Sequence, residues 1–366
     1  MSDPIIRVLV VDDSAVTRKV LREVIQSDPN MKVVAVASNG QEALQQIDAY
    51  QPDVVTLDVQ MPIMDGLATL DEIFVRCPVP VIMVSALTKL GAKTTLDALE
   101  RGAVDCVLKP DAKATSLPMF REELLKKIRS SAGIDVRRIL AIRQERRSRR
   151  LWPTQTTPVV KPTLESGMEE LAEVCIALGI STGGPSALTV LFENLRAPMP
   201  PIVIVQHMPL HFTGPLAWRL DSLSEISVKE AEADDVLKAN QALIAPAGHH
   251  LSLRRSGKQV RVTIEDGPQV SGHRPSVDVM MLSAAKIFGP RCLGVIMTGM
   301  GRDGVDGCAA IRAAGGYVLG QNEATSDVYG MNKVAFQSGH VDRQFPLDDS
   351  ATVIAAAVER LQNPVA

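Results

Sequence analysis

Short aliphatic runs that stop at a polar or very small residue, each followed by a helical pattern, recur along this chain, and no other feature narrows its fold as much. Ile6-Arg7-Val8-Leu9-Val10-Val11 ends in Asp12-Asp13-Ser14 before helical spacing through Val16, Val20, Leu21, Val24 and Ile25. Runs at 33–37, 54–57, 81–84 and 106–108 repeat the arrangement, with helical stretches between them. A strand that is aliphatic on both faces must be covered on both, and an intervening helix returns the chain for parallel pairing. The expectation is a five-stranded parallel sheet over 5–130. The pattern resumes at 174–180, 201–206 and 292–298, with helical stretches at 185–195, 211–220, 277–288 and 306–314. A second, doubly wound α/β domain is therefore expected over 172–364.

The length agrees with two domains, since 366 residues exceed one ordinary core at roughly 150 residues per domain. The first has the alternation of a flavodoxin-like fold. With a net charge of -3 and 22% charged residues, the chain has no bulk attraction for nucleic acid or membrane. Met1-Ser2-Asp3-Pro4 lacks the basic start of a signal peptide, and no apolar stretch approaches the roughly 18 residues of a membrane helix. A cytoplasmic protein with no direct membrane insertion is expected. Cys77, Cys106, Cys175, Cys292 and Cys308 never form C-x-x-C, so reduced, mostly buried thiols are the expectation. The segment 131–171 reads as a basic linker: an arginine-rich run over 137–150, helical in part, then Trp152-Pro153-Thr154-Gln155-Thr156-Thr157-Pro158. Without interleaved aromatics or a reading module, that run suits solvent or an acidic partner, and no DNA binding is expected.

In open α/β sheets, function gathers beyond the carboxyl ends of the strands. In the first domain those ends carry Asp12, Asp13, Asp58, Ser85 and Lys109. Each acid alone reads as a helix cap or turn former. As a set, crowded carboxylates repel unless a cation joins them, and all-oxygen ligation with room for water suits Mg²⁺. A carboxylate there has the surroundings to accept a phosphoryl group.

The second domain opens on Gly179-Ile180-Ser181-Thr182-Gly183, a G-x-S-x-G pattern in which glycines leave room for a turn that lifts a serine above a sheet. Ser181 also reads as a helix N-cap, and the loop as a phosphate cradle. His207 follows the next strand, and Asp303 lies in Gly299-Met300-Gly301-Arg302-Asp303-Gly304 after a third. Serine nucleophile, neutral histidine base and orienting carboxylate are the types that acyl transfer requires. Backbone amides at Thr182 and Met300 are the candidate oxyanion donors. The bland readings stay open: a satisfied strand-end histidine and a turn-forming aspartate. His211, His249, His250 and His273 lack metal-ligand spacing.

The first segment resembles the receiver domain of response regulators over its full length, including Met61-Pro62-Ile63-Met64-Asp65-Gly66. The resemblance implies that a partner histidine kinase phosphorylates Asp58, that Asp12, Asp13 and Asp58 hold Mg²⁺, and that Ser85 and Lys109 contact the phosphoryl group. Cys106 stands where receivers usually carry an aromatic, and Gln60 where they often carry an acid. In the second segment, Ser181-Thr182-Gly183-Gly184, Gln206-His207-Met208-Pro209, His273-Arg274-Pro275-Ser276-Val277-Asp278, Thr298-Gly299-Met300-Gly301 with Asp303-Gly304, and Glu323-Ala324-Thr325-Ser326 look like the CheB family of chemotaxis methylesterases. That resemblance covers nearly the whole chain. It implies a catalytic triad of Ser181, His207 and Asp303, with no cofactor in the esterase site. It further implies glutamate methyl esters of chemoreceptors as substrate, with deamidation of receptor glutamine in some members. Asn332 stands where the family commonly has proline. A complete phosphoacceptor pocket joined to an enzyme implies that phosphorylation of Asp58 governs turnover.

Overall fold

The computed structural model describes residues 4–86, 88–110, 117–149 and 168–362. They fall into two compact units, divided within the undescribed stretch 150–167.

In the first unit, β1 (Ile6–Val11), α1 (Ala15–Gln26), β2 (Met31–Ala37), α2 (Gly40–Tyr50), β3 (Val54–Asp58), α3 (Gly66–Arg76), β4 (Val81–Ser85), α4 (Lys89–Arg101), β5 (Asp105–Leu108) and α5 (Leu117–Ser131) alternate strictly. The strands form the expected parallel sheet in the order β2-β1-β3-β4-β5. Every residue of β3 and β4 is buried, which is why they read as unbroken aliphatic runs rather than as alternation. Val8, Val10, Val54, Ile82, Val84 and Val107 pack on one face against Leu21 and Ile25 of α1 and Phe120, Leu124 and Ile128 of α5. Side-chain caps start the helices at Ser14, Asn39, Asp65 and Thr88. Each accepts a backbone N–H that the first turn leaves unpaired.

A further helix, α6 (Val136–Arg149), belongs to this unit. Arg143, from the run read as linker, is buried, and its guanidinium donates to the carbonyls of Leu99, at 2.8 Å, and Glu100, at 2.9 Å. These lie near the C-terminus of α4, where the helix dipole favours a cation. Val136 and Ile139 are buried too. The compact unit thus runs past residue 130, because one face of the basic segment packs. Of the remainder of that segment, 150–167 lies outside the described residues, and 168–171 belongs to the second unit.

The second unit contains α7 (Met168–Leu171), β6 (Cys175–Ile180), α8 (Gly184–Asn194), β7 (Ile202–Gln206), α9 (Thr213–Leu223), β8 (Ser227–Glu230) and β9 (Gln241–Ile244). A hairpin of β10 (His250–Ser256) and β11 (Gln259–Glu265) follows, then α10 (Val277–Phe288), β12 (Cys292–Ile296), α11 (Val305–Ala313), β13 (Tyr317–Gln321), α12 (Met331–Gln337), β14 (Arg343–Phe345) and α13 (Ser350–Gln362). Seven parallel strands form one sheet in the order β14-β13-β12-β6-β7-β9-β8. The strands β6, β7 and β12, foreseen from sequence, are its buried centre. The edge strands β8 and β14 are short and partly polar, and the antiparallel hairpin stands outside the sheet. Val277, Met281 and Ala284 of α10 share one apolar cluster with Ala177, Val205 and Ile296.

Candidate functional site

Strand order decides which loops meet. In the second unit, Ile180 pairs with Gln206 and Gly179 with Ile296, so Ser181 and His207 leave the sheet side by side, with the loop after β12 on the other flank. Two bonds extend the ladder past the strands: His207 N–H to Ile180 O at 3.2 Å and Ser181 N–H to Thr298 O at 3.0 Å. Gly299 lies so close that a Cβ on it would stand 2.6 Å from the Ser181 Cβ, which brings the segment carrying Met300 against the serine. Ser181 is buried, and Gly183 at φ 79° begins α8 without a side-chain cap. Glycine is required there for the left-handed backbone of the turn.

Asp303 is fully enclosed, yet its carboxylate is well supplied with donors. It accepts from the Ser276 hydroxyl at 2.7 Å, from the N–H groups of Val277 and Asp278 at 2.8 and 3.1 Å, and faces His207 Nε2 at 2.9 Å. The first three lie at the N-terminus of α10, where unpaired N–H groups favour an anion. Burial pushes the Asp303 carboxyl upward, but the bonds from His207, Ser276 and Val277 outweigh it and hold it well below the usual carboxylate range. Its partners lie 25 or more residues away in sequence, so it is not a local turn former. His207 Nδ1 is buried and has no hydrogen-bond partner among the described residues. With Nε2–H donating to Asp303, Nδ1 carries the basic lone pair on this ring.

Several residues around this cluster went unassigned in the sequence. The His273 ring stacks on His207, with centroids 3.7 Å apart and planes 7° from parallel. Ser276 caps α10 through Val279 N–H while donating to Asp303. Asp278 accepts from Gly307 N–H at 2.8 Å, and burial, with the neighbouring Asp303 charge, lifts its carboxyl to about 6. The available signal was Ser276-Val277-Asp278 opening a helical pattern, a helix-start signature. Two of the other histidines find ordinary partners: His250 bonds Pro268 O and Ser276 N–H, and His249 pairs with Asp266. Asn332 is buried and donates to Gln321 O and Ser326 Oγ, both at 2.8 Å.

In the first unit the five polar strand-end residues also share one edge. Carboxylate oxygens of Asp12, Asp13 and Asp58 lie within 4.8 Å of one another. Lys109 Nζ reaches Asp12 at 2.7 Å and Asp58 at 2.8 Å. Asp58 also accepts from Val59 N–H at 2.7 Å, and Asp12 from Ser14 N–H at 2.9 Å. Burial pushes the Asp58 carboxyl above its ordinary value despite Lys109. Burial works against the Lys109 charge, but bonds to Asp12 and Asp58 prevail and raise its pKa. Two buried acids and an exposed one, all oxygen donors, fit a small hard cation with remaining water ligands. Ser85 is buried at the end of β4, its hydroxyl donating to Ala86 O at 3.3 Å. Cys106, at the position usual for an aromatic, is buried on β5, and burial pushes its thiol far up.

Comparison with known proteins follows the same division. A model of the CheB methylesterase family matches residues 176–354, and one of the response regulator receiver domain matches residues 8–118. A Pyrococcus abyssi protein named protein-glutamate methylesterase/protein-glutamine glutaminase is 43% identical over 362 residues, covering 98% of this chain and 95% of that one. A Pyrococcus horikoshii protein of the same name is 44% identical, with 97% and 94% covered. A Rhodospirillum rubrum protein, named likewise with the suffix 2, is 42% identical, with 97% and 99% covered.

Proposed function

The chain belongs to the CheB methylesterase family, and from that premise we propose that it hydrolyses methyl esters on glutamate side chains of chemoreceptors, under control of phosphorylation at Asp58. The observation that carries the reading is the 2.9 Å bond from His207 Nε2 to Asp303, which leaves Nδ1 as the basic atom on a ring that emerges beside Ser181. Ser181 Oγ attacks the ester carbonyl carbon as His207 Nδ1 takes its proton, and the carbonyl electrons move onto oxygen. Backbone N–H groups of Thr182 and Met300 stabilise that oxyanion. The C–OCH₃ bond then breaks, the imidazolium returns its proton to the leaving oxygen as methanol, and an acyl-Ser181 remains. Water, deprotonated by His207, attacks the acyl carbon, releasing the glutamate side chain and the free serine. Asp303, ionised by its donors, holds the tautomer and stabilises the imidazolium.

The same steps on a glutamine side chain expel ammonia. The relatives' double name supports this second activity. Methoxide needs less protonation help from His207 than an amine does, so the ester is the faster substrate.

In the receiver, Asp58 accepts the phosphoryl group from a histidine kinase, with Lys109 and Ser85 as contacts. Asp12, Asp13 and Asp58 would hold Mg²⁺, which when bound neutralises charge on the phosphoryl oxygens. The experiment is methanol release from methyl-labelled chemoreceptor, with and without a small phosphodonor. Ser181→Ala is expected to lower release by on the order of 10⁶-fold, and near-normal release would refute the nucleophile assignment.

A further inference from the structure

We infer that Gln206 is a positioning residue for this reaction: one side-chain amide that fixes the nucleophile turn, the oxyanion donor and the base relative to one another. The inference rests on the roles proposed above for Ser181, Thr182 and His207. Gln206 is the last residue of β7, after Ile202-Val203-Ile204-Val205, and is 1% exposed. A primary amide so enclosed is costly unless its hydrogens are used. Nε2 donates to Ser181 O and to His207 O, each at 2.9 Å. Its two N–H bonds diverge at a fixed angle in one plane, so the two carbonyls are held at a fixed separation and orientation.

Those carbonyls belong to the nucleophile and the base. Ser181 O also accepts from Gly184 N–H at 2.8 Å. In a trans peptide the carbonyl oxygen and the following N–H point in opposite directions. Anchoring Ser181 O on Gln206 and Gly184 therefore aims Thr182 N–H to the opposite side of the peptide. Thr182 O is itself anchored by the Thr298 hydroxyl at 3.0 Å. Both peptide planes around the proposed oxyanion donor are thus set, and Gln206 is the group that ties them to the base.

The packing leaves the amide little freedom. A Cβ on Gly184 would stand 1.8 Å from Gln206 Oε1, so the first turn of α8 closes directly on it. The carbonyl end, Oε1, is buried without a hydrogen-bond partner among the described residues. Gln206 therefore occupies this position at the expense of half its own hydrogen-bonding capacity. A residue kept only for stability would gain from satisfying both ends.

The test uses the full chain, a tagged fluorophosphonate to count reactive Ser181, and methyl-labelled chemoreceptor to measure methanol release per counted site. Gln206→Met keeps the volume and removes both donors. Gly184→Ala leaves Gln206 in place but displaces its amide. Each is expected to lower kcat per counted site by about 10- to 100-fold with KM within about twofold, the loss typical of a misaimed donor or base. Gln206→Glu, which faces two carbonyl oxygens with a carboxylate, should lose at least as much. If Gln206→Met or Gly184→Ala only reduces the counted fraction while each remaining site turns over at the wild-type rate, Gln206 serves stability alone and the inference is overturned. If the wild-type protein is not labelled at Ser181, the proposed function fails first, and that outcome is distinct.

Discussion

Asp58 and Asp303 are both buried carboxylates beyond the carboxyl ends of parallel strands, yet their acidities move in opposite directions. Burial disfavours the charge in both. The difference lies in the donors. Asp58 has one backbone N–H, from Val59, and shares Lys109 with Asp12, a second carboxylate that repels it. Asp303 sits on the opening turn of α10 and collects Ser276, Val277, Asp278 and His207. In the proposed mechanism Asp303 must stay ionised to hold an imidazolium, and fixed donors suit that role. The role proposed for Asp58, receiving a phosphoryl group, suits oxygens that face two further carboxylates able to share a cation.

The sharpest way to break this comparison is to neutralise each acid in turn. Asp303→Asn removes the charge that orients His207 and should lower methanol release by on the order of 10⁴-fold, measured on methyl-labelled receptor. A loss below about tenfold would mean that Asp303 is only a helix cap. Asp58→Asn should leave basal release within about twofold and abolish the response to a phosphodonor, because the proposed phosphorylation would add roughly two charges there. Stimulation that survives this change would move the acceptor elsewhere.

A smaller effect isolates the donors. Ser276→Ala removes both the cap of α10 and one bond to Asp303, and should reduce stability by about 1–2 kcal/mol at neutral pH, read by urea unfolding of the second unit. The depressed Asp303 contributes stability that is present above its unfolded pKa and lost as pH falls through the folded one. The Ser276→Ala deficit should therefore shrink in strong acid. A deficit independent of pH would assign it to the cap alone.

The smallest expected effect concerns Asp278, which has the reverse sign. Its folded pKa of about 6 lies above the ordinary 3.8, so the folded state holds this proton more tightly than the unfolded chain. Stability should fall as pH rises between those two values, with the penalty complete above about 6. Asp278→Asn should flatten that slope, seen as urea midpoints of variant and wild type that converge or cross between about pH 4 and pH 7. Parallel curves would show that Asp278 is ionised throughout.

Much of this arrangement was legible in the chain. Aliphatic runs ending in Asp12-Asp13, Asp58, Ser181 and His207 marked strand ends, because a parallel strand buried on both faces leaves a local signature of four to seven residues. Other elements left none. Ser227–Glu230 and Arg343–Phe345 are short and polar enough to pass for loops, and only pairing with β9 and β13 makes them strands. Arg143 read as solvated because its acceptors, Leu99 and Glu100, lie more than 40 residues away.

Sequence alone determined the strand–helix alternation of the first unit, the strands β6, β7 and β12 of the second, the places where those strands break off and which residue types stand there, since all of these depend on neighbours a few positions apart. Tertiary structure alone decided which breaks become adjacent. The order β12-β6-β7 sets Ser181 between Thr298 and His207, α10 delivers its N-terminus to Asp303, and Gln206 reaches two carbonyls at once. A buried glutamine or aspartate has the same local pattern whatever it bonds. Its partners are chosen by packing between segments that the chain has brought together, and its pKa by how many donors that packing aims at it.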